Sequence, residues 1–229
     1  MLFIKKLLPI EKTKWMFFGQ QRSGHHAIMS WILKNQEYTH FNICQFKNNI
    51  YSDDIIGKIN NCVVASFEGQ IPDYDWNSLI SKKCLVLRNP YNMYASRLAM
   101  KRASLYHNLK SWENCLNPQE WLQHAKEFLS QTSILGSCTK IIYDYWFDIR
   151  DYRDRLADVL GLPSSELPEK ITNFGGGSSF DKITQNATSM NVLNRWKEFE
   201  FDEEFKEILF DEDIKNYWKE IESSTKFLL

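Results

Sequence analysis

The residues best suited to chemistry are two adjacent histidines and the basic turn that precedes them. Residues 20–24 form a polar turn between an apolar run and a segment with helical spacing, and His25 and His26 follow directly. Glycine-containing turns placed in this way bind phosphate groups, because a helix begins with amide N–H groups that point at an anion. The turn therefore predicts an anion site formed by Arg22 and the amides of residues 23–25.

The two histidines occupy positions that other phosphate-binding loops fill with lysine and a hydroxyl residue. Triphosphatases and kinases use that lysine on the outer phosphates and the Ser/Thr on magnesium. His25 and His26 replace both. The substitution predicts a metal-independent transfer without a metal site, in which Arg22 supplies the positive charge. Two alternatives stay open: a divergent P-loop kinase of a small hydroxyl substrate, and a nucleotide-binding module that has lost catalysis.

Alternating apolar runs and helical segments predict an α/β fold. Strands are expected at 14–19, 61–69, 83–90 and 139–147, and helices at 24–35, from Pro90, at 121–129, from 148 to 161 and in a charged segment that ends near Ile221. Continuous apolar strands of this kind form a mainly parallel sheet flanked by helices on both faces. Ligands of such sheets lie beyond the carboxyl ends of the strands. The first turn, Glu68, Arg88 and the Tyr143-Asp144 pair are therefore expected to meet.

Composition is typical of an ordinary globular domain. The 229 residues are 43% hydrophobic and 25% charged, which predicts a single domain over 1–229. The net charge of −1 argues against bulk electrostatic binding to nucleic acid or to an anionic membrane. Five scattered cysteines predict a reducing compartment, and the short apolar runs near the N-terminus predict no transmembrane segment. A cytoplasmic protein is the resulting expectation.

Two motifs in order resemble those of the sulfotransferase superfamily, whose members have a P-loop NTPase-like fold and use 3′-phosphoadenosine 5′-phosphosulfate (PAPS). "RSGHH" (22–26) is similar to the Lys/Arg-Ser-Gly-Thr-Thr loop that binds the 5′-phosphosulfate, and it departs from that loop at the two threonines. Arg88 and Ser96, eight residues apart, resemble the arginine and serine that bind the 3′-phosphate. The resemblance spans roughly 14–200 and implies a sulfotransferase with PAPS as co-substrate.

The resemblance also implies roles for individual residues. The nucleotide would be bound by residues of the first turn, of the strand ends and of a later glycine loop: Gln21, Arg22, Ser23, Gly24, His25, His26, Arg88, Ser96, Tyr143, Gly177, Ser178 and Ser179. Tyr143 would lie near the adenine, and a core tyrosine is the alternative. The glycine loop would cover the 3′-phosphate.

The catalytic base must lie within hydrogen-bond reach of the acceptor hydroxyl. Some carbohydrate-sulfating members of the family place a glutamate after the second strand that we predict, and Glu68 stands at that position. His25 is the competing candidate for the base. Arg22 is expected to stabilise the bridging oxygen as its bond to sulfur breaks.

The acceptor is expected to carry a hydroxyl or an amine, with carbohydrate among the candidates, and nucleic acid is not expected as a partner. Its binding surface is expected to include aromatic and basic residues, namely Tyr51, Lys101, Arg102, Tyr106, Trp112 and Trp121. His124 is interpreted as a surface or packed histidine, and Arg97 as a solvated helix charge. The segment "RWK" (195–197) resembles the family's Trp-Lys near the C-terminus, and a solvated charge is the alternative for Arg195.

Overall fold

Five parallel strands form one sheet. The computed structural model describes residues 14–33, 40–44, 64–76, 82–106, 115–168 and 191–226. The strands are β1 Trp15–Gly19, β2 His40–Cys44, β3 Val64–Glu68, β4 Lys82–Leu87 and β5 Thr139–Ile142. Their order is β2-β3-β1-β4-β5, and every pair is parallel. The predicted α/β fold with a parallel sheet is confirmed.

The described helices flank this sheet. They are α1 His25–Ile32, α2 Pro90–Tyr106, α3 Pro118–Phe128, α4 Tyr143–Asp148, α5 Arg150–Leu160, a 3-10 helix at Arg195–Phe199, α6 Glu203–Leu209 and α7 Glu212–Lys226. Pro90 begins α2, and Gly161 ends α5 in a left-handed conformation, as expected. Among these helices, none combines the length and the apolar character needed to cross a bilayer.

The structure differs from the predicted strands in two places. The strand predicted at 139–147 ends at Ile142, and residues 143–148 form α4. Their aromatic residues suggested a strand, but Tyr143 and Trp146 are three residues apart, lie on one helical face and share one core cluster. Strand β2 was not predicted, because "HFNIC" lacks a continuous apolar run. Its pairing with β3 places it in the sheet.

Both faces of the sheet are covered, as alternate residues of β1 demonstrate. Trp15 and Phe17 pack in one core cluster with residues of α1, α4 and α5. Met16 and Phe18 point to the other face and pack in a cluster that includes Trp76. A further cluster joins α2 and α3 to α6 and α7 on that side. Strand β1 is buried on both faces, which explains its uninterrupted apolar sequence.

The register of the strands brings the predicted site segments to one edge of the sheet. Gly19 at the end of β1 is level with Glu68 at the end of β3, and the amide of Gly69 donates to the Gly19 carbonyl oxygen at 3.3 Å. Leu87 at the end of β4 is level with Ile142 at the end of β5. The residues that follow each strand therefore meet at the carboxyl edge.

Candidate functional site

The turn at 20–24 has two residues in the left-handed region. Arg22 has φ 69° and Gly24 has φ 81°. The amide of Ser23 donates to the Gln20 carbonyl oxygen at 3.0 Å and closes the turn. That N–H group is thus used inside the turn, and the expectation that the Ser23 amide binds an anion stays a prediction. The amides at the start of α1 are the ones that helix geometry directs toward the turn.

Two arginines meet at one serine hydroxyl beside this turn, and a third arginine binds the turn itself. Arg22 Nε donates to Ser96 Oγ at 3.3 Å, and Arg195 Nη1 donates to the same oxygen at 3.4 Å. Arg88 Nη1 donates to the Arg22 carbonyl oxygen at 2.9 Å. A hydroxyl oxygen has two acceptor lone pairs, so Ser96 can accept from both guanidinium groups. The arrangement concentrates positive charge at the start of α1.

The neighbouring positive charges affect the pKa of Arg22. Burial, together with the positive charges of Arg195 and Arg88, lowers the pKa of Arg22 from 12.5 to about 10, while Glu68 and Tyr143 oppose the shift. At neutral pH Arg22 is charged in the folded and unfolded chain alike, so the shift means that the charge destabilises the fold by roughly 3 kcal/mol. An anion bound between these guanidinium groups would offset the repulsion.

Arg88 is held at its backbone and at its side chain. Its Nη2 donates to the Val192 carbonyl oxygen at 2.7 Å, and its own carbonyl oxygen accepts from Trp121 Nε1 at 3.0 Å. The guanidinium carbon lies 5.0 Å from the centre of the Tyr143 ring, within reach of a cation–π contact. With its bond to the Arg22 carbonyl oxygen, Arg88 joins the first turn to the segment that carries Arg195.

Asp144 holds the turn between β4 and α2. This buried carboxylate accepts from the Asn89 amide at 2.6 Å and from Asn92 Nδ2 at 3.4 Å. Asn92 Nδ2 also donates to the Leu193 carbonyl oxygen at 2.9 Å. Burial raises the pKa of Asp144, while the positive charge of Arg88 and these donors oppose the rise. Asp144 thus supports the position of Arg88, a role that the sequence analysis did not assign to it.

Tyr143 packs directly on the first turn. A Cβ atom added to Gly24 would lie 2.3 Å from the Tyr143 ring, so only glycine leaves space for the ring here. The ring is also stacked with Phe147 at 6.2 Å between centroids, and the residue is buried. These contacts fit the alternative of a core tyrosine that shapes the turn. The predicted contact of Tyr143 with adenine stays a prediction.

The two candidate bases lie next to each other. Glu68 Oε1 is 3.3 Å from His25 Nε2 and 3.6 Å from His26 Nε2, and the two imidazole rings are 4.1 Å apart between centroids. Ser23 Oγ lies 3.3 Å from His25 Nδ1. Gly19 permits this packing, because a Cβ there would be 2.7 Å from Ser23 Oγ. Glu68 and His25 therefore belong to a single cluster.

Two functional arginines escaped sequence reasoning. Arg97 is buried and its Nε donates to the Gln21 carbonyl oxygen at 3.1 Å, while its Nη1 donates to Glu120 Oε2 at 3.2 Å. Arg195 is buried at Ser96. The interpretation of both as solvated charges is wrong, because each finds partners from distant parts of the chain. Their only sequence signal was position: Arg97 follows Ser96, and Arg195 lies in a segment that resembles a family motif.

Several residues expected near the acceptor are used elsewhere. Lys101 and Arg102 form ion pairs with Glu204 and Asp202 at α6. Trp121 is fully buried, and His124 is packed, as one interpretation predicted, with its pKa lowered to about 4 mainly by burial. Five other predicted residues lie outside the described residues: Tyr51, Trp112, Gly177, Ser178 and Ser179.

Comparison with known proteins adds no family assignment. No protein-family model matches this sequence, and no curated protein matches it. The geometry at the carboxyl edge of the sheet, with "RSGHH" and the pair Arg88 and Ser96, is therefore the basis for a functional proposal.

The contact between Gly24 and Tyr143 yields a stability prediction. Gly24→Ala should lower the free energy of unfolding, because alanine at positive φ is strained and its methyl group overlaps the Tyr143 ring. The backbone strain alone should cost about 1–3 kcal/mol, and the overlap should add to this cost. In a Tyr143→Leu background the same substitution should cost less, with a coupling of roughly 0.5–3 kcal/mol. Urea denaturation of the four proteins measures this coupling, and strictly additive costs would contradict the overlap.

The lowered pKa of Arg22 predicts opposite effects on stability and binding. Arg22→Gln should raise the free energy of unfolding by roughly 1–3 kcal/mol, since it removes a partly buried charge that two other arginines repel. Inorganic phosphate, a probe anion for the arginine cluster, should stabilise the unsubstituted protein, and Arg22→Gln should abolish that stabilisation. Arg102→Gln, at a half-exposed arginine paired with Asp202, is the matched control and should change stability by about 1 kcal/mol or less. A destabilised Arg22→Gln protein would refute the electrostatic argument.

Proposed function

We propose that the protein is a sulfotransferase that moves a sulfuryl group from PAPS to an acceptor hydroxyl or amine. The observation that carries the proposal is the arginine cluster beside the start of α1, in which Arg22 and Arg195 donate to Ser96 Oγ and Arg88 donates to the Arg22 carbonyl oxygen. PAPS carries a 3′-phosphate and a 5′-phosphosulfate, and both require positive charge and N–H donors. The residues that resemble the two family motifs, "RSGHH" and the pair Arg88 and Ser96, supply both here.

A phosphosulfate suits this turn better than a magnesium-bound triphosphate. Magnesium prefers oxygen ligands, whereas positions 25 and 26 offer imidazole nitrogens. Arg22 brings a fixed positive charge to the place where a kinase would use the metal. These features favour the sulfotransferase over the kinase alternative, although the parallel sheet and the turn are common to both.

The proposed reaction is an in-line displacement at sulfur. The acceptor oxygen or nitrogen attacks the sulfur atom, the bond from sulfur to the bridging phosphate oxygen breaks, and that oxygen keeps the electron pair. Arg22 stabilises the charge that develops there. Glu68 takes the proton from the acceptor and later releases it to solvent. The products are the sulfated acceptor and 3′-phosphoadenosine 5′-phosphate.

In the proposed mechanism, His25 and His26 assist Glu68 rather than replace it. Both Nε2 atoms lie within 3.6 Å of Glu68 Oε1, so an imidazole can orient the carboxylate or accept its proton. Carbohydrate, lipid and peptide hydroxyls are all candidate acceptors. The cytoplasm is the proposed location, because the cysteine pattern favours a reducing compartment.

Nucleotide binding provides the first test. 3′-Phosphoadenosine 5′-phosphate should raise the melting temperature equally in EDTA and in magnesium, since Arg22, Arg88 and Arg195 supply the charge. At about 100 times its dissociation constant it should add roughly 2.7 kcal/mol of stability. AMP, which lacks the 3′-phosphate, should add much less. Stabilisation by ATP only with magnesium would favour the kinase, and no response to any nucleotide would refute the proposal.

Replacing Glu68 separates an active enzyme from an inactive nucleotide-binding module. Glu68→Gln keeps the side-chain volume and removes the proton acceptor, so sulfuryl transfer should fall by roughly 10²–10⁴-fold. Affinity for 3′-phosphoadenosine 5′-phosphate should survive. Glu198→Gln, at an exposed glutamate of the 3-10 helix, is the matched control and should leave turnover unchanged. Transfer from labelled PAPS to a panel of sugars, lipids and peptides supplies the assay.

His25→Asn completes this comparison. If His25 contacts the nucleotide, its replacement should reduce nucleotide affinity, whereas a role as the base would reduce turnover alone. A Glu68→Gln protein with near-normal turnover would reassign the base to His25, its neighbour at 3.3 Å.

A further inference from the structure

We propose that His25, His26 and Glu68 form a binding site for one divalent ion of the zinc class. The three residues each offer one ligand atom, and these atoms lie within 4.8 Å of one another. Glu68 Oε1 is 3.3 Å from His25 Nε2 and 3.6 Å from His26 Nε2. Ligand atoms around a tetrahedral zinc ion are about 3.4 Å apart, given bonds of about 2.0–2.1 Å. Two of the three separations already approach this value.

The donor set selects the kind of ion. Two imidazole nitrogens and one carboxylate oxygen match the ligands that zinc takes in sites with three protein ligands and an open fourth position. Zinc, cobalt and nickel accept imidazole readily, whereas magnesium and calcium require oxygen ligands. The site therefore differs from the magnesium site that a kinase would need.

The surroundings hold the donors in place. His25 and His26 begin α1, and Glu68 ends β3, so all three project from the regular elements that meet at the carboxyl edge. Ser23 Oγ lies 3.3 Å from His25 Nδ1 and can accept a hydrogen bond from Nδ1–H, and in that tautomer the Nε2 lone pair is available to a metal ion on the side of Glu68. Such a hydrogen bond behind a ligand histidine fixes its tautomer and orientation in metal sites.

Positive charge near the site sets a limit on its affinity. The start of α1 and the guanidinium group of Arg22 both disfavour a cation, and Arg22 interacts electrostatically with Glu68. We therefore expect reversible binding that a chelator removes. An ion bound to Glu68 would withdraw charge from the carboxylate and make it a weaker proton acceptor, so zinc should inhibit transfer. The inference itself rests on the donor geometry and goes beyond the proposed function.

Titration with the metal alone tests the site. Chain without a purification tag, freed of metal with a chelator, should bind one Zn²⁺ per chain in calorimetry and melt at a higher temperature with Zn²⁺ but not with Mg²⁺. Co²⁺ should give the visible spectrum of a four-coordinate site without a thiolate charge-transfer band. His26→Asn and Glu68→Gln should each weaken Zn²⁺ binding by about 100-fold or more, and Ser23→Ala by roughly tenfold.

A cysteine variant serves as the matched control. Cys138 is a free, partly buried thiol, and Cys138→Ser should leave Zn²⁺ binding unchanged. His26 is only partly buried, so His26→Asn should fold, and circular dichroism checks this. Three results would each overturn the inference. They are the absence of saturable Zn²⁺ binding, Zn²⁺ binding by both His26→Asn and Glu68→Gln as tight as in the unsubstituted protein, and a thiolate band that is lost in Cys138→Ser. Nucleotide melting in EDTA with the same proteins reports on the proposed function independently.

Discussion

The site depends on the two carbonyl oxygens that Arg88 binds through its terminal nitrogens. One belongs to Arg22 in the first turn and the other to Val192, more than a hundred residues later in the chain. Because a charged donor strengthens a buried hydrogen bond, this pair of contacts fixes the turn against the segment that carries Arg195. Trp121 and Asp144 hold the backbone around Arg88. The position of the whole arginine cluster follows from these few contacts.

The cluster carries a cost that the fold must offset. Arg22 is partly buried beside two other guanidinium groups, and its lowered pKa indicates that the charge is unfavourable there. The core clusters on both faces of the sheet supply the compensating stability. Unfavourable charges concentrated at one edge of a well-packed sheet are typical of sites that bind a ligand of opposite charge. The phosphate and phosphosulfate groups of the proposed nucleotide would offset the repulsion at Arg22.

The same edge holds a second, chemically different group of side chains. Glu68, His25 and His26 lie close enough to act as one unit, either on a proton or on a metal ion. These two uses compete, because a metal ion bound to the Glu68 carboxylate makes it a weaker proton acceptor. Gly19 and Ser23 make the packing of this group possible. The arginine cluster and this group are adjacent at the carboxyl edge, and the proposed function uses the first for the anion and Glu68 for the proton.

The α/β fold, four of the five strands and the meeting of the first turn with Glu68 and Arg88 could be predicted from the sequence. Continuous apolar runs identify buried parallel strands, and parallel strands bring their carboxyl ends to one edge. The sequence did not reveal the burial of Arg97 and Arg195, or the contact of His26 with Glu68. Local patterns report which face of an element is apolar. Only the tertiary structure decided which distant carbonyl, hydroxyl or carboxylate each charged side chain meets, because those partners come from elements far apart in the chain.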